Sequence, residues 1–288
     1  MIKIAYIVQC HKNAEQINHL CSQLIDDNVD IYLHIDKKWV DGEKGILKHS
    51  QVFFIPRIET IDVQWGNISQ VKATLLLIEN VLKTKKDYDY IWFISGQDFP
   101  IKSKKEIQDF LSLDKQRCFI NITNIPYAKK RNEIYYPRWM MKRKFYARIL
   151  KYIWVKISGG KNKTFNIFQR RKPTDMFYYG SCWWCLPKQC VLDIYQMVED
   201  NNEYLKFFSH SLCPDESFFQ TLIMQSKWKN KINDYLVYVD WSEGKSSPRI
   251  LTSKDLDCLM NDNKYFFARK FDINVDLEAV TRLTEFIK

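Results

Sequence analysis

Glycine and proline are scarce. There are 8 of each in 288 residues, with no Ser- or Gly-rich run and no internal repeat, so the sequence offers no linker at which to divide it. A single domain over 1–288 is expected, because a chain this long with 46% hydrophobic residues can bury a full core. Long apolar runs are also missing; nothing approaches the roughly 20 uninterrupted residues of a membrane span. MIKIAYIVQC enters an apolar, strand-like run without a charged n-region, long h-region or small-residue cleavage site, so secretion is not indicated. The 8 cysteines are scattered apart from Cys182, Cys185 and Cys190, and without an export signal they are expected to be reduced. CWWC has no second CxxC to complete a zinc site and lies inside the strand-like FYYGSCWWCLP. Buried small hydrophobes explain it better than a redox pair.

Acid is missing from one stretch. The net charge is +10, yet residues 127–173 hold 15 Lys or Arg against Glu133 alone, a local +14 that leaves −4 for the rest. Within that stretch RWMMKRKFYARILKYIWVKI (138–157) puts Phe145, Tyr146, Ile149, Leu150, Ile153 and Ile157 on one helical face. Arg143, Lys144, Arg148 and Lys151 fall mostly opposite. A basic amphipathic insertion at about 127–173 is therefore expected, and it has two readings. It lies on an anionic membrane surface, or it packs on the core with a solvated basic face. Nucleic acid is not expected as a partner, since neither an RNP nor a zinc-finger spacing is present.

Strand and helix signals alternate through the first third: KIAYIVQ, a helix carrying Ile17, Leu20 and Leu24, DIYLHID, VFFIP, a helix through VKATLLLIENVL, and YIWFIS. Helices between short, continuously apolar strands imply an α/β fold with a mostly parallel central sheet flanked by helices. Ligands of such sheets bind beyond the carboxyl ends of the strands, so QCHKN (9–13), HIDKK (34–38) and SGQDFP (95–100) are the segments that matter. Asp36 would sit at the mouth of that crevice, as a ribose or base acceptor or simply as a turn or helix cap. Farther along, a helix over 104–113, the strand CFINI, the strand FYYGSCWWC, a helix over 191–199, a helix opening at PDES, the strand LVYVDW and a helical C-terminus are expected.

LCPDESFFQ (212–220) places Asp215 and Glu216 behind Pro214. Proline suits a first helical turn, and acids there are favoured by the helix macrodipole. The pair can be simply helix-start acids, or Glu216 can be an ionised base. A two-carboxylate hydrolase is disfavoured, because adjacent residues on a helix point about 100° apart.

HID, VQWGNISQVKATL, IWFISGQDFPIKS, FYYGSCWW, CPDESFFQTL, PRIL and FFARKFD occur in the order seen in the core 2 and I-branching β-1,6-N-acetylglucosaminyltransferases, relatives of the peptide O-xylosyltransferases. The chain resembles that family (glycosyltransferase family 14) from the first strand to Asp272, least in the basic middle. The resemblance implies a GT-A-like nucleotide-sugar fold, a UDP-sugar donor, inversion to a β-glycoside, and no divalent metal or other cofactor. By motif position it implies that Glu216 is the general base and that Arg249 and Lys270 bind the donor diphosphate. Val8, Asp36 and Trp65 would be nucleotide contacts, Gly180 and Ser181 would lie near the donor, and Trp241 would contact the acceptor.

The residues can be weighed beside this. Arg forks onto phosphate oxygens and Lys adds a point charge, so fixed cations can carry a leaving diphosphate in place of a metal; as isolated cations, both would be surface charges, and Arg269 competes with Lys270 for the role. Asp87 and Asp89 have Asp-x-Asp spacing but precede YIWFIS, at the wrong end of the sheet, and Asp255 and Asp257 lie in a helical pattern. Trp65 before Gly66 could present a flat ring or be core.

No anchor, stem or clear disulfide pattern accompanies the motifs, which points to a bacterial or viral member in the cytoplasm, peripheral to the membrane. The expected activity is transfer of N-acetylglucosamine to a glycan or lipid-linked oligosaccharide hydroxyl. Xylose or another hexose is the alternative donor sugar, and a non-catalytic basic protein that binds membranes or polyanions is the alternative of another class.

Overall fold

A computed structural model of the chain describes residues 1–123, 131–132, 134–138 and 170–288, with isolated positions between 146 and 156. The strands are β1 (Ile4–Cys10), β2 (Val29–Ile35), β3 (Val52–Phe54), β4 (Tyr90–Ser95), β5 (Asp98–Pro100), β6 (Cys118–Ile120), β7 (Trp184–Pro187), β8 (Ile232–Asn233), β9 (Val237–Val239) and β10 (Phe267–Arg269). Seven of them form one sheet in the order β3-β2-β1-β4-β7-β6-β8. Its pairs are parallel except at β7, which runs against both β4 and β6. Every residue of β1, β2 and β4 is buried, the signature of strands covered on both faces.

The covering helices are α1 (Ala14–Leu24), α2 (Ser69–Lys83), α3 (Lys104–Ser112), α4 (Lys188–Asp200), α5 (Glu203–Phe208), α6 (Phe218–Met224), α7 (Leu256–Met260) and α8 (Leu277–Phe286). α1 buries Ile17, Leu20 and Leu24 as their spacing predicts. α3 opens on a capping box made by Ser103 and Glu106. One apolar cluster runs from Ile2 to Ile287.

A second sheet, unforeseen in the sequence, lies in the order β5-β10-β9. Phe267 of β10 joins it to the large sheet, with its ring 4.8 Å from Trp92 and 5.9 Å from Tyr6. Consequently Arg269 and Lys270 are delivered to the region where β4 ends and β5 begins.

Two expectations shift. FYYGSCWWC is strand only from Trp184, and Tyr179 makes a single bridge to Thr123. Gly180 passes so close to the Asn121 carbonyl that a Cβ on it would collide with that backbone. The helix expected at PDES begins instead at Phe218; Pro214–Glu216 is a separate 3-10 turn, entered through left-handed Cys213 and left through Ser217 at φ −144°. The Ser217 hydroxyl donates to the Tyr178 carbonyl at 2.8 Å, which holds this break.

The expected amphipathic helix lies largely outside the described residues, including Phe145, Ile157 and its four opposing cations. Tyr146, Ile149, Leu150 and Ile153 are described; they are helical and exposed, so at these positions the face does not pack on the core.

Candidate active site

The Glu216 turn sits at the centre of a knot of main-chain contacts. Gly180 N donates to the Glu216 carbonyl at 2.9 Å, and Cys213 N donates to the Gly66 carbonyl at 3.0 Å. Gly66 adopts φ +71°, a conformation that side chains other than glycine rarely take. It thereby sets Trp65, half-exposed at 52%, beside the same turn. Ser181 is fixed by three bonds: its hydroxyl lies 2.7 Å from the Tyr235 hydroxyl, its N–H donates to Asn121 Oδ1, and its carbonyl accepts from Gln220. Glu216, Gly180, Ser181 and Trp65 are thus brought together.

The Glu216 carboxylate accepts a charge-assisted hydrogen bond from Arg131 through Oε2. Its neighbour Asp215 turns inward, with Oδ1 buried and unbonded. Burial, and then the charge of Glu216, push the Asp215 carboxyl up to about 7. Side by side, the two acids therefore differ in character: Glu216 is half-exposed and paired with a cation, whereas Asp215 turns one oxygen inward without a hydrogen bond.

Charge also crowds at the carboxyl edge of the large sheet. His11 and Lys12 follow β1, Asp36 follows β2, and Lys270 follows β10. Burial first, then the charges of Lys12 and Lys270, lower the His11 pKa; Lys270 is lowered by burial and then by Lys12 and Arg269. Lys12 is balanced by Asp272 at 2.5 Å. Among the described residues Lys270 reaches only Ser247 Oγ, at 3.5 Å. Cys182 lies within reach of both Asp215 and Arg269: burial raises its thiol pKa first, and Asp215, Arg269, Glu216 and Asp98 all act on it.

Other expectations are corrected or refined. Val8 is wholly buried between Leu33 and Ile94, so its side chain offers nothing to a nucleotide; His11 and Lys12 are the polar groups of that strand at the edge. Asp36 is buried and accepts from both the N–H and Nζ of Lys38. Arg249 is not a free cation. It forks onto Asp255 at 3.0 and 2.7 Å while its Nε donates to Asp240 at 2.7 Å, and these bonds raise its pKa. Trp241 stands 54% exposed in the loop that Asp240 and Arg249 close. Arg269 is engaged elsewhere, stacked 4.3 Å over Trp183 and 3.4 Å from Asp98.

Neither Asp-x-Asp is arranged as a metal ligand pair. Asp89 accepts from Lys3 N and Lys115 Nζ at the amino edge of the sheet, while Asp255 and Asp257 pair with Arg249 and Arg282. Among the described residues no group of three His, Cys, Asp or Glu side chains is placed to hold a metal ion. All eight cysteines are free thiols. Cys185 lies in β7 with its thiol pKa raised by burial, which fits the apolar reading of CWWC.

The family model of the Core-2/I-Branching enzymes matches residues 4–260. The chain belongs to this family. It is similar to a xylosyltransferase of Ciona intestinalis, 22% identical over 98% of this chain and 34% of that one. It is also similar to the mouse β-1,3-galactosyl-O-glycosyl-glycoprotein β-1,6-N-acetylglucosaminyltransferase 4, 25% identical over 95% of this chain and 63% of that one. The chain thus spans about a third of the length of the xylosyltransferases it matches. Among solved structures, it is similar to the WbbM bifunctional glycosyltransferase, with TM-score 0.41 and 11% identity over 93% of this chain and 45% of that one.

Within this Core-2/I-Branching chain, the sequence missed Arg131, which was counted only as part of the basic stretch, and the buried set Asp98, Arg269 and Trp183. SGQDFP did mark Asp98 by its place after a strand. No described helix is long and apolar enough to cross a membrane.

Proposed function

We propose that this chain is an inverting, metal-independent glycosyltransferase that moves N-acetylglucosamine from UDP to a hydroxyl of a glycan or lipid-linked oligosaccharide. Family membership supports glycosyl transfer, and two features together carry the finer reading: a partly exposed carboxylate, Glu216, and the cations Lys12 and Lys270, crowded together beyond the ends of β1 and β10. Glu216 takes the acceptor hydroxyl proton while that oxygen attacks the anomeric carbon. The bond from that carbon to the diphosphate oxygen breaks on the opposite face, and the charge departs with UDP. Cations fixed in place stabilise this developing charge without reorganising. Lys270 is the better placed of the two expected cations, because Arg249 already spends its fork on Asp240 and Asp255. Xylose is the second donor, favoured by the xylosyltransferase relatives. The exposed helical positions Ile149, Leu150 and Ile153, set in a basic stretch, support docking on an anionic membrane.

Calorimetric titration of UDP-N-acetylglucosamine and UDP-xylose in excess EDTA tests the donor and the metal together. One sugar nucleotide should bind, and Lys12→Ala with Lys270→Ala should weaken it by about 100-fold, as expected for two charge-assisted contacts. Binding seen only with manganese would refute the metal-free reading, and no binding under either condition would refute the transferase.

A further inference from the structure

We infer that Arg131 is a positioning residue for Glu216: a strap carrying residues 131, 132 and 134–136 holds its guanidinium on one carboxylate oxygen and leaves the other for the acceptor hydroxyl. This rests on the reading of Glu216 as the base. The strap is tied to the residues around that base at several points. Leu212 N donates to the Arg131 carbonyl at 3.1 Å, and Tyr136 N donates to the His210 carbonyl at 2.9 Å. Asn132 Nδ2 donates to Ser217 Oγ at 2.9 Å and to the Tyr179 hydroxyl at 3.3 Å, on either side of Glu216 and Gly180. Tyr135 stacks 4.3 Å from His210, and Ile134 and Tyr136 pack with Leu212.

Arg170 fastens this strap from behind. Its guanidinium lies 3.8 Å over the Phe207 ring and donates to the carbonyls of Asn132, Ile134 and Phe207 and to Ser211 Oγ. The two arginines of the basic stretch that the structure describes in contact with the body therefore divide the work. Arg170 is half-buried and holds mostly backbone, whereas Arg131 reaches the carboxylate.

Exposure separates a positioning role from a merely stabilising one. The Arg131 and Glu216 side chains are 24% and 40% exposed, and pairs this open to solvent contribute little to stability. Geometry is what the pair supplies. With Oε2 engaged and no described hydrogen bond at Oε1, one lone-pair direction is defined, and a base acts only within hydrogen-bond reach of the proton it takes. Arg131 also offsets the mutual repulsion of Asp215 and Glu216, since its charge lowers the Asp215 pKa where Glu216 raises it.

The test compares Arg131→Ala, Arg131→Lys and Glu216→Gln by UDP release from UDP-N-acetylglucosamine and UDP-xylose into water, and by carbon-13 NMR titration of the labelled carboxyls. Arg131→Ala should melt and bind donor as the native chain does. Its Asp215 carboxyl should titrate at higher pH, because the Arg131 charge that lowers it is gone, and its UDP release should fall by about tenfold or more with donor binding unchanged. Arg131→Lys should restore the titration in part. An unchanged titration in Arg131→Ala overturns the inference whatever the activity, and should that variant fail to fold, Arg131→Gln is read in its place. Glu216→Gln with native UDP release would instead overturn the assignment of the base.

Discussion

Gly180 is the residue at which one added methyl group probes the whole site. A Cβ there would lie 1.7 Å from the Asn121 carbonyl oxygen and 2.6 Å from its carbon, and the obstacle is backbone. Restoring an ordinary C···O contact requires a retreat of about 1.5 Å. Three bonds resist it: Gly180 N to the Glu216 carbonyl, Thr123 N to the Tyr179 carbonyl at 2.7 Å, and Ser181 N to Asn121 Oδ1 at 3.1 Å. Gly180→Ala therefore either strains Asn121 or pulls on the Glu216 turn. Overpacking of this kind costs about 1–3 kcal/mol, which for a chain of this size lowers Tm by about 2–5 °C. The kinetic loss should be larger, because a shift of about 1 Å at a reacting group costs on the order of 100-fold. Scanning calorimetry and UDP release measure the two effects on one preparation. A variant with native Tm and native turnover would refute the close approach of 121–123 to 179–181 and the positioning drawn from it.

Three further predictions follow from the geometry. Asp98→Ala strands the buried Arg269, whose carboxylate partner lies at 3.4 Å, and should cost about 3–5 kcal/mol; the urea midpoint should fall with little change in slope, and an unmoved midpoint would mean that the pair carries no weight. The Asp215 carboxyl keeps its proton to about 7 in the folded chain but loses it near 4 when unfolded. The native state then binds the extra proton between those values, so stability falls as pH rises from about 4 to 7 and is level above. Asp215→Asn should remove that fall and gain in Tm over the native chain by pH 8, whereas parallel pH profiles would count against the burial of Asp215. Vesicles containing phosphatidylserine should carry the chain upward in flotation while neutral vesicles leave it behind, and Ile149→Asp with Ile153→Asp should abolish the difference; equal flotation on both would remove the membrane reading.

The large sheet was legible because its signals are local. The apolar runs of β1, β2 and β4 and the spacing of Ile17, Leu20 and Leu24 each lie within one element, and the polar segments after those strands fall where an α/β sheet binds ligands. The small sheet had no such signal. β5, β9 and β10 are three residues each, too short for a period, and they pair across distant parts of the chain. Arg131 was hidden for a related reason: in a stretch of 15 cations, charge does not reveal which one turns inward, and that is decided by contacts of Asn132 with the Tyr179 and Ser217 hydroxyls and of Arg170 with carbonyls far away in sequence.

Arg249 fails differently. Its partners Asp240 and Asp255 are 9 and 6 residues away, close enough to have been suspected, yet a motif identifies a residue without saying what already occupies it. A diphosphate can reach that guanidinium only by displacing a bidentate carboxylate, and such pairs are among the stronger charge-assisted contacts. Lys270, pressed by Lys12 and Arg269 and held by one long contact to Ser247, gains most from an arriving anion. The two cations that the motifs treat alike are thus unequal in this fold: removing Lys270 should weaken donor binding directly, whereas removing Arg249 should act chiefly through the loop that Asp240 and Asp255 lose.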